Sequence, residues 1–550
     1  MNNDKSFNYY IRKTIVDHWD ANALTDYQGA TLQYHDVARK IEKLHIAFES
    51  AGIKKGDKIA ICGRNSANWA VTFLATLTYG AVVVPILNEF NAEQIHNIVN
   101  HSETRLLFVG DFVAKDINPE EMPHLDGILN LPDFSIMLSR SEQLTYAREN
   151  LNMMFGQKYP KAFTKDDVMY HEDQPEELAI INYTSGTTGH SKGVMLPYRA
   201  LWGNLNFALK RLGAHVKAGQ PTLSILPMAH MYGLAFEFIF GFCNGCHLYF
   251  LNRLPSPTLI AKAFTDIRPA LVIAVPLIIE KIIRKKVFPV IQSNRMRLLL
   301  QMPVISKKVK EKICEQVYDA FGGQAYEIIV GGAALSKEVE DFLLSIGFPL
   351  TVGYGTTECA PLISYRDWHD FVAGSCGAAI ENMEVRIDSS DPMNTPGEIM
   401  TKGVNVMLGY YKNEEATRQV LEPDGWYHTG DLGTMDADGN IFIRGRIKNM
   451  LLGANGQNIY PEEIEDKLNS MPMVAECMVV QREDKLVALV YPDQDETADL
   501  SPDDLEAVME QNRVNLNAGL PVFSRITRIE LQSEEFAKTP KKSIKRYLYQ

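Results

Sequence analysis

A chain of 550 residues with 46% hydrophobic and 22% charged content can bury a large core and is too long for one domain. Its net charge of −13 excludes a general nucleic-acid surface, because only the C-terminus carries a local basic run. The seven cysteines, scattered and odd in number, suit reduced thiols in a cytoplasmic protein, and the lone C-x-x-C of Cys243 and Cys246 reads as incidental or buried thiols rather than a metal site.

Residues 1–15 set Asp4, Lys5, Arg12 and Lys13 around too little apolar sequence for a secretory signal. Within 36–50, Val37, Ile41, Leu44 and Phe48 fall on one helical stripe, and Gly52 follows as the stop. A short strand is expected at 58–62. Residues 69–87 carry no charge and are nominally long enough to span a membrane. Gly80 and Pro85 divide them, so a buried helix and then a strand are expected instead. Further buried strands are expected at 105–110, 178–181, 222–226 and 271–276. The apolar stretch 222–251, interrupted by Glu237, reads as core, with contact to a lipid-derived substrate as the alternative. This alternation implies an α/β fold: a large N-terminal domain of largely parallel sheets flanked by helices. The character changes near residue 380. Short strands at 385–387, 397–400 and 441–443, separated by turn residues, predict a small β-rich subdomain at about 375–446. After Arg446 comes an α+β unit with a helix at 461–468 and strands at 474–480 and 486–490. Ser501 then opens a helix as N-cap, followed by Pro502. The expected layout is a large domain at 1–446 and a small one at 447–550.

The most informative segment is 183–194, Tyr-Thr-Ser-Gly-Thr-Thr-Gly-His-Ser-Lys-Gly-Val. Thr184, Ser185, Gly186, Thr187, Thr188 and Gly189 follow an apolar strand. Such a loop turns backbone N–H groups and hydroxyls toward an anion, which glycine lets approach closely. Lys192 adds a compact positive charge, so a polyphosphate is the expected guest. The Walker A spacing is absent. Four more segments stand out: 226–233 with His230, Tyr232 and Gly233; Val275-Pro276; 331–335 with Gly331, Gly332 and Ala333; and 353–358 with Gly353, Tyr354, Gly355, Thr356, Thr357 and Glu358. Farther on come Asp431 within 424–433, then Arg446, Lys448 and the stretch 453–465.

Taken in order, these segments resemble the acyl-adenylate-forming (AMP-binding) enzymes over essentially the whole chain. The 456–465 stretch and the lipophilic middle are most similar to bacterial long-chain fatty acid–CoA ligases. The resemblance implies ATP with Mg²⁺, and CoA as co-substrate. It places residues 184–189 and Lys192 around the phosphates, with Thr184 and Glu358 holding the metal. Gly332, Ala333, Tyr354, Gly355, Thr356 and Thr357 would surround the nucleotide, and Asp431 with Arg446 would hold the ribose. His230, Tyr232, Gly233, Val275, Pro276, Gly331 and Gly353 would border the acyl pocket. Lys448 falls at the hinge of a mobile C-terminal domain, and 453–465 would face the site during thioester formation.

The family also brings a C-terminal lysine to the reacting carboxylate, and here the pattern departs. Residues 536–546 read Phe-Ala-Lys-Thr-Pro-Lys-Lys-Ser-Ile-Lys-Arg, which puts Ser543 at that place. Lys541, Lys542 and Lys545 are its neighbours, and a one-residue shift presents Lys542 as the catalytic cation. A nucleotide-binding pseudo-enzyme is therefore the reading from a different class. No carrier-protein sequence follows the small domain, although a separate acyl carrier protein stays open as acceptor. The partners expected are a small-molecule acid, ATP and CoA, without nucleic acid. Peripheral contact with the inner membrane face and the oligomeric state are left open.

Overall fold

The computed structural model describes residues 6–184, 191–253, 256–291, 303–452, 457–482, 485–539 and 543–549. Among the described residues the largest sheet has eight strands. Its centre is parallel: Val82–Ile86, Lys58–Cys62, Thr104–Val109 and Gly127–Asn130 run side by side. Val82–Ile86 is buried along its whole length, as expected of a strand covered on both faces. Leu178–Thr184 joins this group in parallel, and Lys192–Pro197 returns beside it antiparallel. The uncharged 69–87 stretch resolves as expected. Ser66 caps helix Ala67–Tyr79 by accepting from the Trp69 N–H, and Gly80 ends it at φ 86°.

A four-stranded sheet and a three-stranded parallel sheet (Val272–Ala274, Ile328–Val330, Leu350–Val352) pack beside the first, among the described residues. The apolar 222–251 stretch is core: Gly233–Ile239 is a buried π-helical segment. Met383–Asp388, Gly397–Gly403, Tyr427–Met435 and Ile441–Arg446 form an antiparallel four-stranded sheet.

Beyond residue 446, Val474–Arg482 pairs antiparallel with Lys485–Pro492, which pairs in parallel with Arg528–Leu531. Alternate side chains of these strands point to opposite faces. Cys477, Val479, Ala488 and Val490 pack under helices Pro461–Asn469 and Pro502–Ala518. Met478, Val480, Val487 and Leu489 face the other way and are covered by Phe536, Ile544 and Tyr549 of the C-terminal tail. The tail is thus a structural layer of the small domain. A buried ion pair fixes it further, with Arg546 Nη1 2.9 Å from one Glu465 oxygen and Nη2 2.8 Å from the other. Among the described residues, no helix is long and apolar enough to cross a membrane.

Candidate active site

Asp431 and Arg446 stand directly opposite each other in register on two consecutive antiparallel strands. The hairpin places Arg446 Nε 2.8 Å from Asp431 Oδ1. On its other side Asp431 Oδ2 accepts the Tyr354 hydroxyl at 2.7 Å. Asp431 is 4% exposed, and burial raises its carboxyl pKa, while Arg446 and the Tyr354 hydrogen bond pull it back down. Tyr354 starts a short strand paired with Ser364, and Gly355 follows because a Cβ there would lie 2.1 Å from the Pro361 carbonyl oxygen.

Thr184 and Lys192 are cross-strand partners, so they form the base of a hairpin whose connection is the segment rich in glycine and hydroxyls. Ser185, Gly186, Thr187, Thr188 and Gly189 lie outside the described residues. The Lys192 ammonium sits 4.7 Å above the ring centre of Tyr410. That tyrosine donates its hydroxyl to Glu358 Oε1 at 2.9 Å. Glu358 is in a short 3₁₀ turn, Thr357–Cys359, and its carbonyl accepts from the Met407 N–H. Thr356 Oγ1 is buried without a hydrogen-bond partner among the described residues.

The segment carrying His230 and Tyr232 is held by Asn65 and Asn182, which no sequence motif singled out, and by Glu237, which stood out only as the one charge in the apolar stretch. Asn65 accepts from the Met228 N–H and donates to the Leu226 carbonyl, and Asn182 donates to the Ala229 carbonyl. Glu237 Oε2 accepts from Ser224 Oγ and from the Ile225 and Leu226 N–H groups. Each is a buried amide or carboxylate, a class that is costly to bury unpaired and so marks a backbone being held. Tyr232 donates to the Ile329 carbonyl at 3.0 Å and lies against Gly331, where a Cβ would meet its ring at 3.1 Å. Gly332 takes φ 84°, and Val275-Pro276 forms the N-cap and first turn of helix Pro276–Ile282. Gly233 packs its backbone against Leu226 and Pro227, behind the cavity wall.

All these corners open into one cavity of about 3000 Å³. Thr184, Lys192, His230, Tyr232, Val275 and Pro276 line it, as do Gly331, Gly332, Ala333 and Gly353. So do the 354–358 residues, Asp431, Arg446 and Lys448. The volume far exceeds the 300–1,000 Å³ or so of an ordinary small-ligand pocket, leaving room for more than one substrate. Lys448 lies exposed in the 3₁₀ turn Ile447–Asn449 that joins the two domains. Asn449 donates to Glu462 Oε1 at 2.6 Å, carrying the small domain's first helix to the cavity rim. Ser543 and Lys545 also line the cavity, whereas Lys541 and Lys542 lie outside the described residues.

The family model described as AMP-binding enzyme matches residues 11–411, and the AMP-binding enzyme C-terminal domain matches residues 448–549. The chain belongs to the AMP-binding enzyme family. Among curated relatives, the AMP-binding enzyme is 28% identical to long chain acyl-CoA synthetase 6, peroxisomal, of Arabidopsis thaliana, over 89% of this chain and 72% of that one. It is 26% identical to long-chain-fatty-acid–CoA ligase FadD15 of Mycobacterium bovis, over 81% and 74% of the two chains. Solved structures share its fold. An anthranilate CoA ligase, AuaEII, in complex with anthranoyl-AMP superposes with TM-score 0.79 at 18% identity, covering 99% of this chain and 96% of that one. A Mycobacterium tuberculosis fatty acyl CoA synthetase does so with TM-score 0.65 at 21% identity, covering 99% and 97%.

Proposed function

We propose that this AMP-binding enzyme activates a medium- to long-chain fatty acid with ATP and transfers the acyl group to CoA. It is an acid–thiol ligase. The observation that carries the reading is the shared cavity, which joins a buried Asp431–Tyr354 pair with the exposed Arg446 against it, a Thr184–Lys192 hairpin base and an apolar wall. Met231, Phe236, Ile260, Phe264, Ile278 and Ile282 supply that wall, which suits an alkyl chain better than a polar acid. All seven cysteines are free and six of them buried, in keeping with a cytoplasmic enzyme.

In the first half-reaction a substrate carboxylate oxygen attacks the α-phosphorus of ATP. The bond from that phosphorus to the β-bridging oxygen breaks, and pyrophosphate leaves with the electron pair. The attacking group belongs to the substrate, so the protein acts by placement and charge stabilisation. Asp431 and Arg446 hold the ribose, Tyr354 flanks the base, and Lys192 meets the leaving phosphates. Glu358 and the Thr184 hydroxyl are hard oxygen donors on the cavity wall and fit a magnesium ion completed by phosphate oxygens. Such an ion supplies charge neutralisation at the phosphates. The cation facing the carboxylate comes from the tail, where Lys545 shares the exposed face of Ser543.

In the second half-reaction the CoA sulfur attacks the acyl carbonyl carbon, the bond to the adenylate oxygen breaks, the thiol proton is released and AMP departs. Two chemistries at one cavity motivate rotation of the small domain about Lys448. The test is pyrophosphate release by purified protein with Mg-ATP and acids of graded chain length, with and without CoA. Acid-dependent release, with AMP and acyl-CoA accumulating together, is the expected result. Release without acyl-CoA would transfer the reading to a carrier-protein acceptor, and no release across the panel would leave a nucleotide-binding pseudo-enzyme. In the same assay Lys448→Pro should slow thioester formation while adenylate formation persists. Equal loss of both steps, or of neither, removes the hinge.

A further inference from the structure

Tyr410 touches two of the charged groups that the proposed reaction needs. Its ring lies under the Lys192 ammonium, 4.7 Å from the centre, and its hydroxyl donates to Glu358 Oε1 at 2.9 Å. The residue is buried, at 6% exposure, and its placement leaves little freedom. It pairs with Val194 on the strand that follows the phosphate-loop motif, and its N–H donates to Thr417 Oγ1 at 2.9 Å. Gly409 before it takes φ 137°, and a Cβ there would lie 2.7 Å from Thr417 Cγ2. Behind it, the Tyr411 N–H donates to the Gly193 carbonyl and the Tyr411 hydroxyl to Glu103, which ties the same segment to the large sheet.

We propose that Tyr410 is a positioning residue that keeps Lys192 and Glu358 apart and separately available to Mg-ATP. The inference rests on the acid-activating reading above. An aromatic face is negative and attracts a cation, while the phenolic O–H is a donor and satisfies an anion. One ring therefore stabilises both charges without letting them neutralise each other. Opposite charges confined to one partly buried cavity otherwise pair directly, because attraction grows as water is excluded. A Lys192–Glu358 ion pair would have to be broken before either group could meet a phosphate or a metal. A phenol is protonated at neutral pH, so its O–H is available as a donor to Glu358.

Tyr410→Phe keeps the ring and removes the hydroxyl, freeing Glu358 to swing onto Lys192. The primary measurement is calorimetric ATP binding with Mg²⁺ and with EDTA, in the absence of acid and CoA. Because the Lys192–Glu358 pair that forms must be broken before Mg-ATP can bind, affinity should fall about ten-fold in Tyr410→Phe. The decisive comparison is the same substitution in a Lys192→Gln background. With no lysine to pair with Glu358, Tyr410→Phe should there change Mg-ATP affinity by less than about two-fold. A Tyr410→Phe effect of equal size in both backgrounds, or no effect in either, overturns the proposal. Thermal melting within a few degrees of the parent shows that each variant folds. Because this binding measurement needs no acid, it remains readable even if the panel of acids fails and the proposed function falls with it.

Discussion

Lys545→Gln is expected to lower acid-dependent pyrophosphate release by about 10²–10³-fold, the usual cost of removing one preorganised charge-stabilising donor. The expectation comes from the geometry of the tail. Lys538 and Ile544 form an antiparallel bridge, and the Thr539 N–H donates to the Ser543 carbonyl at 2.8 Å. Ile544 packs down onto the small-domain sheet. Side chains alternate in extended chain, so Ser543 and Lys545 share the opposite face, and both line the cavity. Lys538 is already engaged by two carboxylates, Glu476 at 3.1 Å and Glu535, and so is not free for the substrate. Restoring a cation two residues back on the same face, by adding Ser543→Lys to Lys545→Gln, should recover most of the rate. Lys542→Gln, with Lys545 intact, should stay within a few-fold of the parent. Loss in Lys542→Gln without loss in Lys545→Gln would move the role to Lys542.

Asp431→Ala is expected to reduce kcat/KM for ATP by about 10²–10³-fold, because it leaves two charge-assisted partners unpaired at once. Tyr354 is buried and would keep an unsatisfied hydroxyl, and Arg446 would lose the carboxylate that orients it. Asp431→Asn retains an acceptor without the charge, so its loss should be intermediate. The measurement is nucleotide affinity and turnover on variants whose melting temperature is checked first. The buried environment also sets a pH dependence. Burial raises the Asp431 pKa, so on acidification the carboxylate takes up its proton at a higher pH than an exposed aspartate would. Nucleotide affinity should accordingly weaken as pH falls through that value, and Asp431→Asn should lack this limb. An unchanged acid limb in Asp431→Asn would assign it to another group.

The legible parts of the site were those in which local backbone demands a residue type. Gly355 is forced by a carbonyl oxygen 2.1 Å from where its Cβ would be, and Gly332 by a positive φ. Such positions leave short motifs of glycine and hydroxyls that can be read without a fold. Gly80 and Pro85 likewise divided an uncharged run that otherwise suggested a membrane span, and Gly80 does end the helix there. Asn65, Asn182 and Glu237 were not legible in this way. Asn65 and Asn182 act across a long sequence separation on backbone groups of another segment, Glu237 turns back only within its own apolar stretch, and a buried polar side chain looks like any other until its partner is placed. Tyr410 was missed because its importance lies in two side chains from other segments, a strand and a 3₁₀ turn.

By itself the amino-acid order determined the α/β class, the strand leading to the glycine-and-hydroxyl segment and the small α+β domain. Those follow from periodicity, capping and backbone geometry, which act within a dozen or so residues. Tertiary structure alone decided that the phosphate motif bridges a hairpin and that Asp431 meets Arg446 in register. It also decided that the tail is a packed layer presenting Lys545 beside Ser543. These outcomes depend on which faces pack together, and contacts between distant segments are set by the burial of whole surfaces rather than by any local run of residues.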